Sequence, residues 1–210
     1  MDFKKHIETA WQNTLKFIGP ILILTLAQLI ISTFSLGLLA PVTMAGYMQS
    51  LLLVLRQGRK PEVKDLFSEI RLFLPLLLFG LVVMVLLMIG FKMFLLPGII
   101  MSAALVFSTI YMVPLMTDQD KGIMDALAAS WAMATKEPWT DQIILTVLYL
   151  AIMFLGSSVI VAVLFTQPLA TLLVLSVYEE RTGGTEALVK PDTPPAPPAP
   201  SSPPTPPVEG

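Results

Sequence analysis

One histidine, His6, and no cysteine stand among the 210 residues of this chain. The missing thiols remove disulfides, thiolate metal sites and cysteine nucleophiles together. A single imidazole leaves little of histidine's acid–base and metal chemistry. Carboxylates are what remain. Glu62, Asp65 and Glu69 fall on one face of a helical stretch, with Lys64 and Arg71 interleaved, a pattern that reads as a solvated helix face. Asp118, Asp120 and Asp125 flank another helix, and the first two are natural caps for its start. No phosphate-binding glycine loop, zinc-ligand spacing or nucleophile–base pair occurs. No catalytic residue, cofactor or metal site is expected, and the chain reads as a non-enzyme.

The long apolar segments hold no Asp, Glu, His or Arg that would mark a proton relay or ion path. They carry Gln28, Ser32, Thr33, Gln49, Ser102, Ser108, Thr109, Ser157, Ser158 and Thr171, side chains of the kind that bond neighbouring helices. Basic residues cluster beside the segments, as Lys4 and Lys5 and as Arg56, Arg59, Lys60 and Lys64. Such clusters attract anionic lipid headgroups by about 1 kcal/mol per charge. Nothing points to nucleic acid.

The elements that position these groups are apolar. Hydrophobic residues make up 55% of the chain and charged ones 13%, against roughly 25% charged in soluble domains. Spanning helices need about 20 mostly apolar residues. Segments 17–39, 73–95, 97–117 and 143–165 meet that length, while 41–55 and 168–178 are short and read either as full crossings or as re-entrant segments. The first run is too long for a cleaved signal core and reads as a retained membrane helix. Twelve of the 13 Lys and Arg residues lie in the N-terminal stretch to Lys16, in 56–71, in 121–136 and after Tyr178. The positive-inside rule therefore predicts all four regions on the cytoplasmic side of an inner membrane, both termini included. Lys92, the exception, is expected to snorkel to the opposite interface.

The expected fold class is an all-α polytopic bundle of about six transmembrane helices in three hairpins, each preceded by an amphipathic interfacial helix. The first such helix aligns Phe3, Ile7, Trp11 and Leu15, the second Val63, Leu66, Phe67 and Ile70, the third Ile123, Leu127, Trp131 and Ala134. Trp11, Phe17 and Pro41 recur 56 residues later as Phe67, Phe73 and Pro97. Phe3, Ile7, Trp11 and Lys16 recur 120 residues later as Ile123, Leu127, Trp131 and Lys136. Trp11, Lys16, Phe67, Trp131, Lys136 and Trp139 are the candidate lipid-contacting residues. Pro41, Pro97 with Gly98, and Pro168 are expected to open returning helices, where a missing N–H costs nothing. Pro114 is expected to kink a helix. Residues 1–182 form the transmembrane domain, and 183–210, with ten prolines among its last 20 residues, is expected to be a disordered cytoplasmic tail.

Over Leu96–Pro97–Gly98–Ile99, Val113–Pro114–Leu115 and Ala126–Leu127–Ala128–Ala129–Ser130–Trp131 the sequence resembles the membrane domain of some bacterial glycerophosphodiester phosphodiesterases and its free-standing relatives. Ala129 departs from the basic residue often found before the Ser-Trp pair, and the catalytic domain of the fused proteins has no counterpart here. The resemblance implies a helical membrane module of the bacterial cytoplasmic membrane. The leading expectation is an accessory, non-catalytic module acting through membrane lipids or another membrane protein. The second is a transporter or channel for a neutral or amphiphilic solute.

Overall fold

Backbone polar groups inside a bilayer find no water, so an apolar chain that spans one must close its hydrogen bonds in helices or a barrel. The computed structural model describes residues 2–136, 138–157 and 160–183, and among them all regular structure is helical. Helix α1 (Phe3–Lys16) meets α2 (Ile18–Phe34) at a bend of 90°. Helix α3 (Ala40–Gln57) is followed by two short 3-10 turns, Val63–Phe67 and Ile70–Leu72. Then come α4 (Phe73–Met93), α5 (Leu95–Thr109), α6 (Met112–Asp118), α7 (Ile123–Thr135), α8 (Trp139–Ser157) and α9 (Ile160–Thr182).

Four stretches are long and apolar enough to cross a membrane: Val63–Met93, Leu95–Asp118, Trp139–Gly156 and Ala162–Thr182. The bent pair α1–α2 makes a fifth if the two count as one span. Helix α2 alone has 17 residues, about 26 Å of helix. Helix α3 tolerates Thr43, Tyr47 and Ser50 because all three are buried inside the bundle rather than turned to its surroundings. Most of the expected tail lies outside the described residues.

The structure departs from the sequence reading in two elements. Pro168 does not open a helix; it sits inside α9, which runs unbroken from Ile160. One proline removes one backbone bond, whereas ending a helix in an apolar medium strands several, so the continuous helix is favoured. The segment at 63–70 is a pair of 3-10 turns rather than an amphipathic α-helix. Its backbone is pressed against α3 at Gly46, where a Cβ would stand 2.4 Å from the Asp65 carbonyl oxygen. A reciprocal capping box between Glu62 and Asp65 holds the turn in place.

Packing follows one scheme three times. Helix α1 packs on α9, the first 3-10 turn on α3, and α7 on α6. Consecutive long helices pair as α2 with α3, α4 with α5 and α8 with α9. Each first member also touches the preceding pair: α4 touches α3, α8 touches α5, and α2 touches α9. The ring of contacts thus closes on itself. Its core lies in α3, α6 and the second half of α9, where Tyr47, Leu51, Leu52, Tyr111, Leu115, Met116, Leu172 and Tyr178 are buried side by side. Helix α4 is the opposite case, with only Leu76 and Gly90 buried.

Pro114 lies in the first turn of α6, and the helix breaks at Ile110–Tyr111 just before it. A proline cannot donate to the carbonyl four residues back, and its ring pushes that carbonyl away. The groups that the break itself frees, the Phe107 and Ser108 carbonyls and the Tyr111 N–H, are taken up by side chains from other helices. Ser130 Oγ of α7 donates to the Ser108 carbonyl at 2.7 Å and accepts from the Tyr111 N–H at 3.3 Å. Gln142 Nε2 of α8 donates to the Phe107 carbonyl at 3.2 Å, while its Oε1 accepts from the Tyr111 hydroxyl at 2.8 Å. Ser130→Ala is therefore expected to lose about 1–3 kcal/mol, the cost of stranding buried backbone groups. In a Pro114→Ala background, where the helix can run straight, that cost should shrink. Thermal unfolding of the four proteins in detergent reads the coupling, and additive losses would show that the break and the serine are independent.

Candidate functional site

The charged end of the bundle gathers the last turns of three helices. Arg56 closes α3, Asp118 closes α6, and Glu179 stands in the last turn of α9. Each side chain reaches toward the others because α3 packs against both α6 and α9. The Arg56 guanidinium donates to both oxygens of Asp118, with Nη2 to Oδ2 at 2.8 Å. It also meets Glu179 Oε1, from Nε at 2.9 Å and from Nη2 at 2.6 Å. Tyr178 donates to Asp118 Oδ2 at 3.0 Å and accepts from Gln119 Nε2 at 3.2 Å. The hydrogen bond to Asp118 raises the Arg56 pKa above its usual value against the opposing effect of burial, and Glu179 adds to it. One cation is shared by two carboxylates, so these three groups together carry a negative charge.

Four further polar groupings accompany this one. Asp65 is buried and accepts from Ser50 Oγ at 2.7 Å, from the Glu62 N–H at 3.1 Å and from Arg59. That partnership raises the Arg59 pKa. Arg71 bridges Glu69, with Nε to Oε2 at 3.1 Å, and Asp120. His6 of α1 faces α9 on both nitrogens, Nδ1 lying 2.7 Å from Ser176 Oγ and Nε2 2.6 Å from Glu180 Oε2. Arg181 donates to the Met133 carbonyl, and its guanidinium lies over the Tyr111 ring at 5.5 Å. Beside the central cluster opens a cavity of about 840 Å³ lined by Asp2, Lys5, His6, Leu55, Glu179 and Arg181, among others.

These findings correct the reading of the carboxylates. Asp65 and Glu69 are buried and paired with arginines rather than solvated. Asp118 and Asp120 do not cap α7, whose N-cap is Gly122; they hold Arg56 and Arg71. Of the polar residues in the long apolar segments, Thr33, Ser102, Ser108 and Thr109 bond their own helix. Gln28 does cross between helices, taking Gln167 of α9 and donating to Met44 Sδ at 3.6 Å. Thr25 with Tyr47, at 2.9 Å, is a second such link that the sequence list omitted.

The candidate interfacial residues occupy one register. Helix α1 buries His6, Ala10 and Thr14; α7 buries Ala126, Ser130 and Ala134, each 120 positions later. The next residue outward is Trp11 in α1 and Trp131 in α7, each 53% exposed, and Phe67 on the 3-10 turn, 43% exposed. Trp139 begins α8 and is exposed, as are Lys16 and Lys136. The Lys16 ammonium lies 5.2 Å from the centre of the Phe17 ring. Pro41 is the second residue of α3 and Pro97 the third of α5. At Gly98 an added Cβ would stand 2.3 Å from the Phe91 ring, so α5 approaches α4 through a residue without a side chain. The structure does not bring the aromatic residues and the prolines together into a single site.

Arg56→Ala leaves two neighbouring carboxylates uncompensated and is expected to destabilise by roughly 3–5 kcal/mol. Adding Asp118→Asn and Glu179→Gln to it should recover a large part of that loss. Arg56→Lys should fall between, because an ammonium cannot serve both carboxylates in the plane of a fork. Thermal midpoints in detergent test the order, and an unchanged midpoint for Arg56→Ala would remove the cluster from the account of stability.

Compared with known proteins, the chain matches no protein-family model, no curated protein and no solved structure.

Proposed function

We propose that this chain is a non-catalytic module of the bacterial cytoplasmic membrane, acting on an envelope or transport process through contacts with lipids or another membrane protein. In this reading the helices make six crossings as three out-and-back hairpins, with the charged end of the bundle and both termini in the cytoplasm. The resemblance to the membrane domain of glycerophosphodiester phosphodiesterases belongs to the same proposal.

The observation that carries it is the orientation of α1, the 3-10 turn and α7. Each turns a small or buried face to the bundle and an apolar face outward: Ile7, Trp11 and Leu15; Val63 and Phe67; Trp131. A free-standing soluble fold would bury these stripes, whereas an interfacial element places them among headgroups and acyl chains, the depth Trp favours. The near-perpendicular bend between α1 and α2 suits one helix along the interface and the next across it. The core at the junction of α3, α6 and α9 is filled by Leu, Met and Tyr side chains, which favours a contact module over a transporter.

The chain has no cysteine, so single cysteines report on topology directly. Gly37→Cys and Phe94→Cys should react with an impermeant maleimide added outside intact cells, and Lys60→Cys and Lys121→Cys only after lysis. The opposite pattern would overturn the topology. Copurification from native membranes in mild detergent should retain lipid or a protein partner. Trp11→Ser with Trp131→Ser should reduce the retained lipid. Recovery of neither lipid nor partner would count against the reading.

A further inference from the structure

We propose that the cavity between α1 and the last turns of α9 binds the phosphoethanolamine headgroup of a membrane lipid, its ammonium on Glu179 and its phosphate on Lys5 and Arg181. The inference rests on the reading of the chain as a lipid-contacting module and names the lipid class.

The charge of the site asks for a cation. Arg56 is divided between Asp118 and Glu179. It occupies only one oxygen of Glu179. Glu179 lines the cavity, and its other oxygen, Oε2, is buried and has no hydrogen-bond partner among the described residues, on a residue only 4% exposed. A buried carboxylate oxygen left unpaired is costly, so the site gains by taking a donor. Glu180 and Asp2 line the same cavity. Among the described residues no group of three or more His, Cys, Asp or Glu is placed to hold a metal ion, so an ammonium fits the need better.

The same cavity also presents the opposite charge. Lys5 is exposed along it, and Arg181 Nε is buried without a partner among the described residues. An ammonium and a phosphate joined by a short linker satisfy both walls at once. A choline headgroup has no N–H to give Glu179, and a glycerol headgroup has no cation. Depth agrees with a lipid source. Helix α1 turns Ile7, Trp11 and Leu15 outward while Lys5, His6 and Thr9 face the cavity, which sets the cavity at headgroup level in the proposed orientation.

The test uses the full chain in detergent, offered equal amounts of phosphatidylethanolamine, phosphatidylcholine and phosphatidylglycerol with identical acyl chains, with retained lipid read by native mass spectrometry. Phosphatidylethanolamine should be retained about tenfold over the choline lipid, the ratio expected for one hydrogen bond to a charged group. Glu179→Gln should abolish that preference without lowering total lipid. Because that variant also disturbs Arg56, Leu55→Trp serves as a second: it fills the cavity, leaves the charges alone, and should lose the preference with its thermal midpoint kept. Equal retention of the three lipids, or a preference that survives Leu55→Trp, would overturn the headgroup site alone. Absence of any bound lipid would overturn the site and, with it, the lipid-contact form of the module reading, leaving only contact with another membrane protein. Stabilisation by soluble glycerophosphoethanolamine equal to that by the lipid would overturn the lipid source in favour of a free ester.

Discussion

A single guanidinium holds the ends of three helices together. Arg56 joins the end of α3 to those of α6 and α9, and Tyr178 donates to the same Asp118 while packing against Tyr111. In an apolar medium, helices gain little from hydrophobic association with each other, because lipid tails are as apolar as leucine. Directional bonds at the boundary then decide which helices stay together. A planar fork with five donors is suited to joining carboxylates from two different helices, which a point charge is not. The neighbouring pairs, Arg59 with Asp65, Arg71 with Asp120 and His6 with Glu180, fasten the surrounding segments to the same end. The bundle's ion pairs gather at one end, and elsewhere its helices are joined by packing and a few neutral hydrogen bonds such as Gln28 with Gln167 and Thr25 with Tyr47.

That arrangement explains where burial falls. Side chains are enclosed along α3, α6 and the second half of α9, while most of α4 and the tips near Phe34, Phe94 and Phe154 stay open. It also accounts for the division of labour within the amphipathic elements. Ala10, Leu66 and Ser130 hold the inner side at one register, and the aromatic residue that follows each faces outward. Ser130 has a second duty, since it fills the gap that Pro114 opens in the neighbouring helix. Two residues that look like separate motif letters are thus two halves of one hydrogen-bonding solution.

Much of this architecture is legible along the chain. Hydropathy is a local property, so the long apolar helices show in the sequence, and the 120-residue register that relates Trp11 to Trp131 also relates the buried faces of α1 and α7. What was hidden is of two kinds. The first is distance: Arg56 lies 62 residues from Asp118 and 123 from Glu179, and no periodicity links them. Their charges register only as signs of which side a loop is on. The second is competition between local and tertiary forces. Residues 63–70 have helical spacing, but the close seat on Gly46 and the bonds to Asp65 hold them in tighter turns. Pro168 has the look of a helix start, but the cost of breaking a backbone in an apolar medium outweighs it.

Helix α1 packs on α9, and this gives the molecule a constraint in time as well as in space. A ribosome releases α1 first and α9 last, so the inner face of α1 has no surface to rest on until nearly all the described chain has been made. Through that interval Arg56 also lacks one of its two carboxylates, while the 3-10 turn and α7 already have their seats on α3 and α6. Assembly therefore proceeds as two early local joints and one late closure, and contacts that join distant parts of a chain form slowly. In the interval before closure Arg56 is held by Asp118 alone and the inner face of α1 is bare, so the lifetime of that half-made state is set by how fast the last helix arrives.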